Sequence, residues 1–321
     1  MEILKEKSSL RINEVLIGAG KDKGGTRTSA VTIGGENCLP FHLFEGEMPN
    51  PPKTAMEIWD MKPSDWPAAL VKPFDDVMDS PAKWAKKCVE QYGAEIIALR
   101  LQSAHPDFGD AGADKCAAAV RSVLDSVGVP LVIFGCGNDE KDNMIMPKCS
   151  ETAKGENCLM GNATQANYKT LTASCLADGH SIIGETPIDV NIQKQVNILV
   201  TEMGFDAKKI VMDPTTGGLG YGLEYTYSVM ERIRSAALGG DSTLSMPFIC
   251  RAGQESWRAK ESKAGVSERP EWGDEAQRGP AWEIATGVPL LVAGADLLVV
   301  RHPESLAGLK GMIKHLMDKQ E

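Results

Sequence analysis

The sequence predicts a closed (β/α)₈ barrel of the TIM type preceded by a β-hairpin, and three observations carry that prediction. From about residue 53 onward, short apolar runs alternate with longer segments of helical spacing, the pattern of parallel strands joined by crossover helices. There are eight such pairs in strict alternation, which favours a closed barrel over an open doubly wound sheet. The 321 residues fit one barrel without a further domain.

Taken in order, NEVLIG and SAVTIG flank KDKGGTR, whose Gly24 and Gly25 suit a turn. This pair reads as a hairpin that plugs the barrel's bottom, within a lead-in of residues 1–52 ahead of a barrel over 53–321. The eight strands begin near Thr54 (TAMEIWD), Glu95 (EIIALRL), Pro130 (PLVIFG), Asn157 (NCLMGN), His180 (HSIIGE), Lys209 (KIVMD), Ser245 (SMPFIC) and Asp296 (DLLVV). The helices that follow them span Ala82–Tyr92, Asp114–Val127, Glu140–Ala153, Gln165–Ala177, Ile188–Met203, Gly222–Leu238, Glu275–Ala293 and Pro303–Lys319. Two connections, Met61 to Ser80 and Arg251 to Asp274, are too long for ordinary βα loops. They carry Trp66, Trp257 and Trp272 at the C-terminal face, where large exposed rings predict an interface.

Composition narrows the partners. A formal net charge of -10 repels phosphate backbones and anionic headgroups, so nucleic acid and membrane are excluded. The N-terminus MEILKEKSSLRINEV is charged where a signal peptide needs an apolar run, and no run of eighteen apolar residues occurs, so a cytoplasmic protein is expected. The eight cysteines include no Cys-x-x-Cys pair and none of the dense spacing that holds zinc or an iron-sulfur cluster. They read as free, mostly buried thiols in a reducing cell.

In this fold the C-terminal strand ends build the site. Here they are Glu57 and Asp60, Arg100 and Gln102, Cys136 and Asn138, Asn162, Glu185, Asp213, Arg251, and Arg301 with His302. Charges in a dry barrel must pair, so Glu57, Arg100 and Arg301 read equally as a network that fills the mouth. No strand ends in lysine, which removes a Schiff-base lyase. The fourth and seventh end in Asn162 and Arg251, which argues against the carboxylate pair of barrel glycosidases. No His-x-His follows the first strand, so a metallohydrolase is unsupported, and no catalytic or metal-binding residue is assigned. The loop DPTTGGLGYG, from Asp213 to Gly222, places glycines ahead of a helix, a pattern that fits either backbone N–H groups facing an anion or an amide carbonyl or a plain tight turn. Asp178, His180 and Gly184 come within one residue of a cobalt-coordinating histidine signature, but His180 opens a strand at the barrel's bottom and the match is chance.

Five strings together resemble the small subunit of the corrinoid/iron-sulfur protein of the acetyl-CoA synthase/decarbonylase (CO dehydrogenase) system. They are KDKGGTR, LPFHLFEGEMPNPP, DPTTGGLGYGLEYTYSVMERIR, SMPFICRAGQESWRAKE and RHPE, and they spread over nearly the whole chain. The resemblance implies a barrel without a cluster of its own, paired as a heterodimer with a large subunit that carries an iron-sulfur cluster and a corrinoid. It implies a place in methyl transfer in the acetyl-CoA pathway of an anaerobe: from methyltetrahydrofolate, through a methyltransferase, to the corrinoid, and on to CO dehydrogenase/acetyl-CoA synthase. The barrel would cover the corrinoid and shield it from water and oxidants. By carry-over, Asp213, Thr215, Gly217, Gly218 and Gly220, with Arg251, Gln254 and Trp257, are the candidates for facing the corrin. The rival expectation is an enzyme in its own right, a methyltetrahydrofolate:corrinoid methyltransferase barrel with Asn162 and Asp213 on the pterin.

Overall fold

In the computed structural model, which describes residues 5–318, eight parallel strands close into a barrel. They are β3 (Lys53–Trp59), β4 (Ile97–Arg100), β5 (Leu131–Phe134), β6 (Leu159–Ala163), β7 (Ser181–Glu185), β8 (Ile210–Asp213), β9 (Phe248–Cys250) and β10 (Ala295–Val300), with β10 pairing back onto β3. Each predicted apolar run overlaps one of these strands, and the first, fourth and eighth miss one terminal residue of it. Between them lie α2 (Pro81–Glu90), α3 (Ala113–Ser126), α4 (Asp139–Thr152), α5 (Tyr168–Asp178), α6 (Val190–Glu202), α7 (Leu223–Leu238), α10 (Glu275–Ala293) and, last, α11 (Pro303–Met317). The expected helix end at Lys319 lies outside the described residues. The two long connections contain short helices, α1 (Ala68–Val71) in the first and α8 (Ala252–Ser256) and α9 (Lys260–Lys263) in the second.

The strands are apolar throughout because they are buried on both faces. Ala55, Ala98, Val132, Leu159, Ile183, Val211, Ile249 and Val299 point inward as one cluster, while Met56, Ile97, Leu131, Met160, Ile182, Ile210, Phe248 and Leu298 belong to the outer layer packed under the helices. This parity positions the site. Two residues further along, the inward places are Glu57, Arg100, Phe134, Gly161, Glu185, Asp213, Arg251 and Arg301. A layer of six charged residues therefore caps the apolar interior.

The bottom is closed by the hairpin β1 (Val15–Ile17) and β2 (Val31–Ile33), whose Val15, Ile17 and Ile33 are fully buried in the inner cluster. Backbone bonds tie it to residues just ahead of strands, among them Asn13 N to Ser245 O (2.8 Å) and Gly18 N to Asn157 O (2.8 Å). The KDKGGTR string is a clasp rather than a site. Arg27 is buried, pairs with Glu156 at 2.9 Å, and donates to Leu124 O and Val127 O at the end of α3, where a helix leaves carbonyls without internal donors.

Candidate functional site

The mouth of the barrel holds a cavity of about 560 Å³ between the strand ends and the two long connections, within the range of small-molecule sites. Its floor is the charged layer, in two linked groups. In the first, Glu57 is fully buried and one oxygen, Oε1, accepts from Trp59 Nε1 (2.8 Å), Arg100 Nε (3.1 Å) and Arg301 Nη2 (2.8 Å). Burial alone would raise the Glu57 carboxyl, but Arg301 and Arg100 outweigh it and hold it down at about 2. Arg100 also donates to Gln254 Oε1 at 2.7 Å.

In the second group, Arg251 bridges two carboxylates, Glu185 and Asp213, the latter 2.8 Å from its Nε. Asp213 further accepts from Asn162 Nδ2 (3.1 Å) and from the backbone N–H of Thr215 (3.1 Å). Burial raises the Asp213 carboxyl and Arg251 opposes that shift. The guanidinium of Arg251 is held charged by these two acids against its own burial. No strand-end carboxylate among Glu57, Glu185 and Asp213 lacks a cationic partner.

Behind the floor, Glu283 on α10 gathers the strand-end backbone. It accepts from Arg301 N (2.5 Å), His302 N (3.2 Å) and Trp257 Nε1 (3.1 Å). Nothing in the helical spacing of 275–293 singles it out, and sequence reasoning missed it. His302 caps α11 through Glu304 N (3.2 Å), and burial pushes its imidazole down to about 4, so it stays neutral. All eight cysteines are free and buried; even Cys136, at the cavity wall, has its thiol pushed up to about 12 by burial. Among the described residues no group of three or more His, Cys, Asp or Glu side chains is arranged to hold a metal ion, and no helix is long and apolar enough to cross a membrane.

Of the eight candidate residues, Thr215, Arg251, Gln254 and Trp257 line the cavity and Asp213 lies directly beneath, under Arg251. Gly217, Gly218 and Gly220 are not in its wall. In this loop two backbone amides are engaged inside the protein. Gly217 N donates to Thr226 Oγ1 (2.8 Å) and Leu219 N to Thr286 Oγ1 (3.3 Å), so these donors are consumed internally. A Cβ on Gly217 would lie 2.3 Å from Gly222 O, so this glycine permits a close backbone approach. Sequence reasoning left Thr216, Trp59 and Trp66 out of the candidate set, although all three line the cavity.

Two of the three tryptophans expected to be exposed at this face are buried. Trp66 and Trp257 are only 9% and 2% exposed. The long connections fold back over the mouth, so Trp66 packs edge-on against Trp59 (5.3 Å) and Trp84 (5.5 Å), and Trp257 lies over His302 (5.8 Å). Trp272 is partly covered by the guanidinium groups of Arg269 and Arg278.

Comparison with known proteins gives a consistent picture. Residues 14–312 match the family described as CO dehydrogenase/acetyl-CoA synthase delta subunit. The chain is 40% identical over 315 residues to acetyl-CoA decarbonylase/synthase complex subunit delta 1 of Methanosarcina thermophila, covering 97% of this chain and 72% of that protein. It is 38% identical over 323 residues to the delta subunit of Archaeoglobus fulgidus, covering 99% and 71%. Among solved structures it is similar to a dihydropteroate synthase of Coxiella burnetii in complex with pteroic acid, with a TM-score of 0.59 and 9% identity over 95% of this chain and all of that one. A dihydropteroate synthase of Xanthomonas albilineans with 4-aminobenzoic acid gives a TM-score of 0.57 at 11% identity, over 86% and 96%. These two likenesses speak for the barrel fold alone.

Proposed function

This chain belongs to the CO dehydrogenase/acetyl-CoA synthase delta subunit family, and we propose that within such a complex its barrel mouth covers a corrinoid held by a larger partner subunit while methyl groups are passed on. The observation that carries this reading is the closed charge network of the floor. Glu57, Glu185 and Asp213 are each committed to an arginine, so the mouth is a fixed, polar, hydrogen-bonding surface rather than a set of free acids and bases.

The donor set fits the group. A corrin carries carboxamide arms around an apolar ring, and a cavity walled by Arg100, Gln102, Asn162, Gln254, Trp59 and Trp66 offers hydrogen bonds to the arms and aromatic surface to the ring edge. The bound corrinoid would supply a cobalt centre able to accept and release a methyl group. The residues of this chain would orient its arms and exclude water, and the neutral His302, capping a helix and buried, takes no part as a cobalt ligand. On this reading the partners are the large corrinoid/iron-sulfur subunit in a heterodimer, a methyltetrahydrofolate methyltransferase and CO dehydrogenase/acetyl-CoA synthase; the chain has no catalytic residue and no cluster of its own.

Co-expression with a corrinoid-bearing large subunit, followed by size exclusion with a visible spectrum, tests the proposal. Co-elution in one-to-one ratio with corrin absorbance is the expected result. Elution as separate species would overturn it. Methylation of free cobalamin from methyltetrahydrofolate by this chain alone would favour the methyltransferase reading, in which Asn162 and Asp213 hold a pterin.

A further inference from the structure

Two buried hydrogen-bond donors in the cavity wall have no partner. Trp66 Nε1 and Arg301 Nε make no hydrogen bond, although their residues are only 9% and 6% exposed and both line the mouth. Native structures seldom leave such groups unmade, and an orphan at a site points to something that completes it. Trp84 Nε1 and Trp282 Nε1 are also unpartnered, but neither residue lines the cavity.

The two donors are neighbours. The Arg301 guanidinium lies over the Trp66 ring, 5.1 Å from its centroid, and over Trp59 at 5.5 Å. Gln102, buried and in the same wall, adds an amide that can both donate and accept. The charge of Arg301 is already met by Glu57 at 2.8 Å, and Trp66 contributes a neutral N–H, so this corner asks for an acceptor oxygen rather than a full negative charge.

We infer that Trp66, Arg301 and Gln102 form a subsite for one carboxamide group, its carbonyl oxygen taking the N–H of Trp66 and Nε of Arg301 and its NH₂ meeting Gln102. This rests on the reading that a corrinoid approaches the mouth, and it names which part of that molecule would enter here. Carboxamide arms also distinguish a complete corrin from its hydrolysed acid forms, so the subsite would select for intact amides.

The test is calorimetric titration of the full chain with dicyanocobinamide, whose arms are amides, and with dicyanocobyrinic acid, whose arms are carboxylates. Trp66→Phe keeps an aromatic ring against Trp59 and Trp84 and removes the N–H together with part of the indole; Gln102→Leu removes the second contact. Each should weaken cobinamide binding about threefold to tenfold, the effect of one neutral hydrogen bond, in protein that a cooperative thermal melt shows to be folded at the titration temperature. Wild-type binding with both variants unchanged would overturn the subsite and leave the proposed function standing. Tighter binding of the acid than of the amide form would overturn the carboxamide assignment in favour of an anion site. No binding of either probe by the wild type at millimolar concentration would overturn the subsite and tell against the covering role itself.

Discussion

At the scale of single residues, the mouth depends on one carboxylate oxygen that accepts three donors. Glu57→Gln would remove the charge that offsets Arg100 and Arg301, two guanidinium groups buried to 6% exposure. Breaking a buried pair in this way costs about 3–5 kcal/mol, to be read from the shift in denaturant midpoint at unchanged slope. The same group sets an acid dependence. Its carboxyl is lowered from 4.5 to about 2 in the folded chain, so its contribution is fully present above pH 4.5 and is lost as the pH falls through about 2. Stability of the wild type should therefore fall over that window, and the fall should be shallower in Glu57→Gln; parallel curves would show that other groups govern the acid limb. The floor itself was legible in the sequence, since all six charged residues of the layer are among the predicted strand ends. Which loop atoms face the cavity was not legible. DPTTGG announces a turn, but that Gly217 N and Leu219 N are taken by Thr226 and Thr286 depends on packing between elements far apart in the sequence.

At the scale of elements, the loop after β8 and the hairpin clasp make opposite demands on substitution. Gly217→Ala would drive a methyl to 2.3 Å from Gly222 O, against backbone that cannot yield cheaply, whereas Gly218→Ala would meet the Glu255 side chain at an ordinary 3.4 Å. A loss of about 1–3 kcal/mol is expected for the first, and a change within about 0.5 kcal/mol for the second, measured by thermal melts of both. At the other end, Arg27→Ala would strand the buried Glu156 and release the carbonyls of Leu124 and Val127, with a cost again of about 3–5 kcal/mol. Strand positions followed from apolar runs because every barrel strand is buried on both faces, so the signal was redundant. Helix starts were less secure. Gln165 reads as helical by spacing, yet Thr164 N donates to Asn167 Oδ1 at 2.8 Å and Asn167 Nδ2 reaches Asp139, and this local turn delays α5 to Tyr168.

For the molecule as a whole, the proposed function puts recognition at the barrel's mouth and leaves its bottom to folding alone. The hairpin contributes Val15, Ile17 and Ile33 to the inner cluster, while the charged layer above them is cross-braced between strands by its own ion pairs. Function assigned to the mouth should then be separable from folding assigned to the bottom. Arg251→Gln removes the bridge between Glu185 and Asp213, leaving Glu185 in the cavity wall and Asp213 beneath it without their shared cation. Arg27→Ala disturbs only the clasp around Glu156 and the end of α3. Each variant, co-expressed with a corrinoid-bearing large subunit and handled at a temperature where melts show both to be folded, should give a different failure. Arg251→Gln is expected to co-elute with less partner and less corrin absorbance than the wild type, at least threefold less at equal folded protein, because the surface offered to the partner has lost a cation and left two carboxylates unpaired. Arg27→Ala should co-elute normally and melt several degrees lower. The reverse pattern, with assembly lost from the bottom and kept at the mouth, would move the partner's footprint to the hairpin end of the barrel and remove the charged layer from the proposed function.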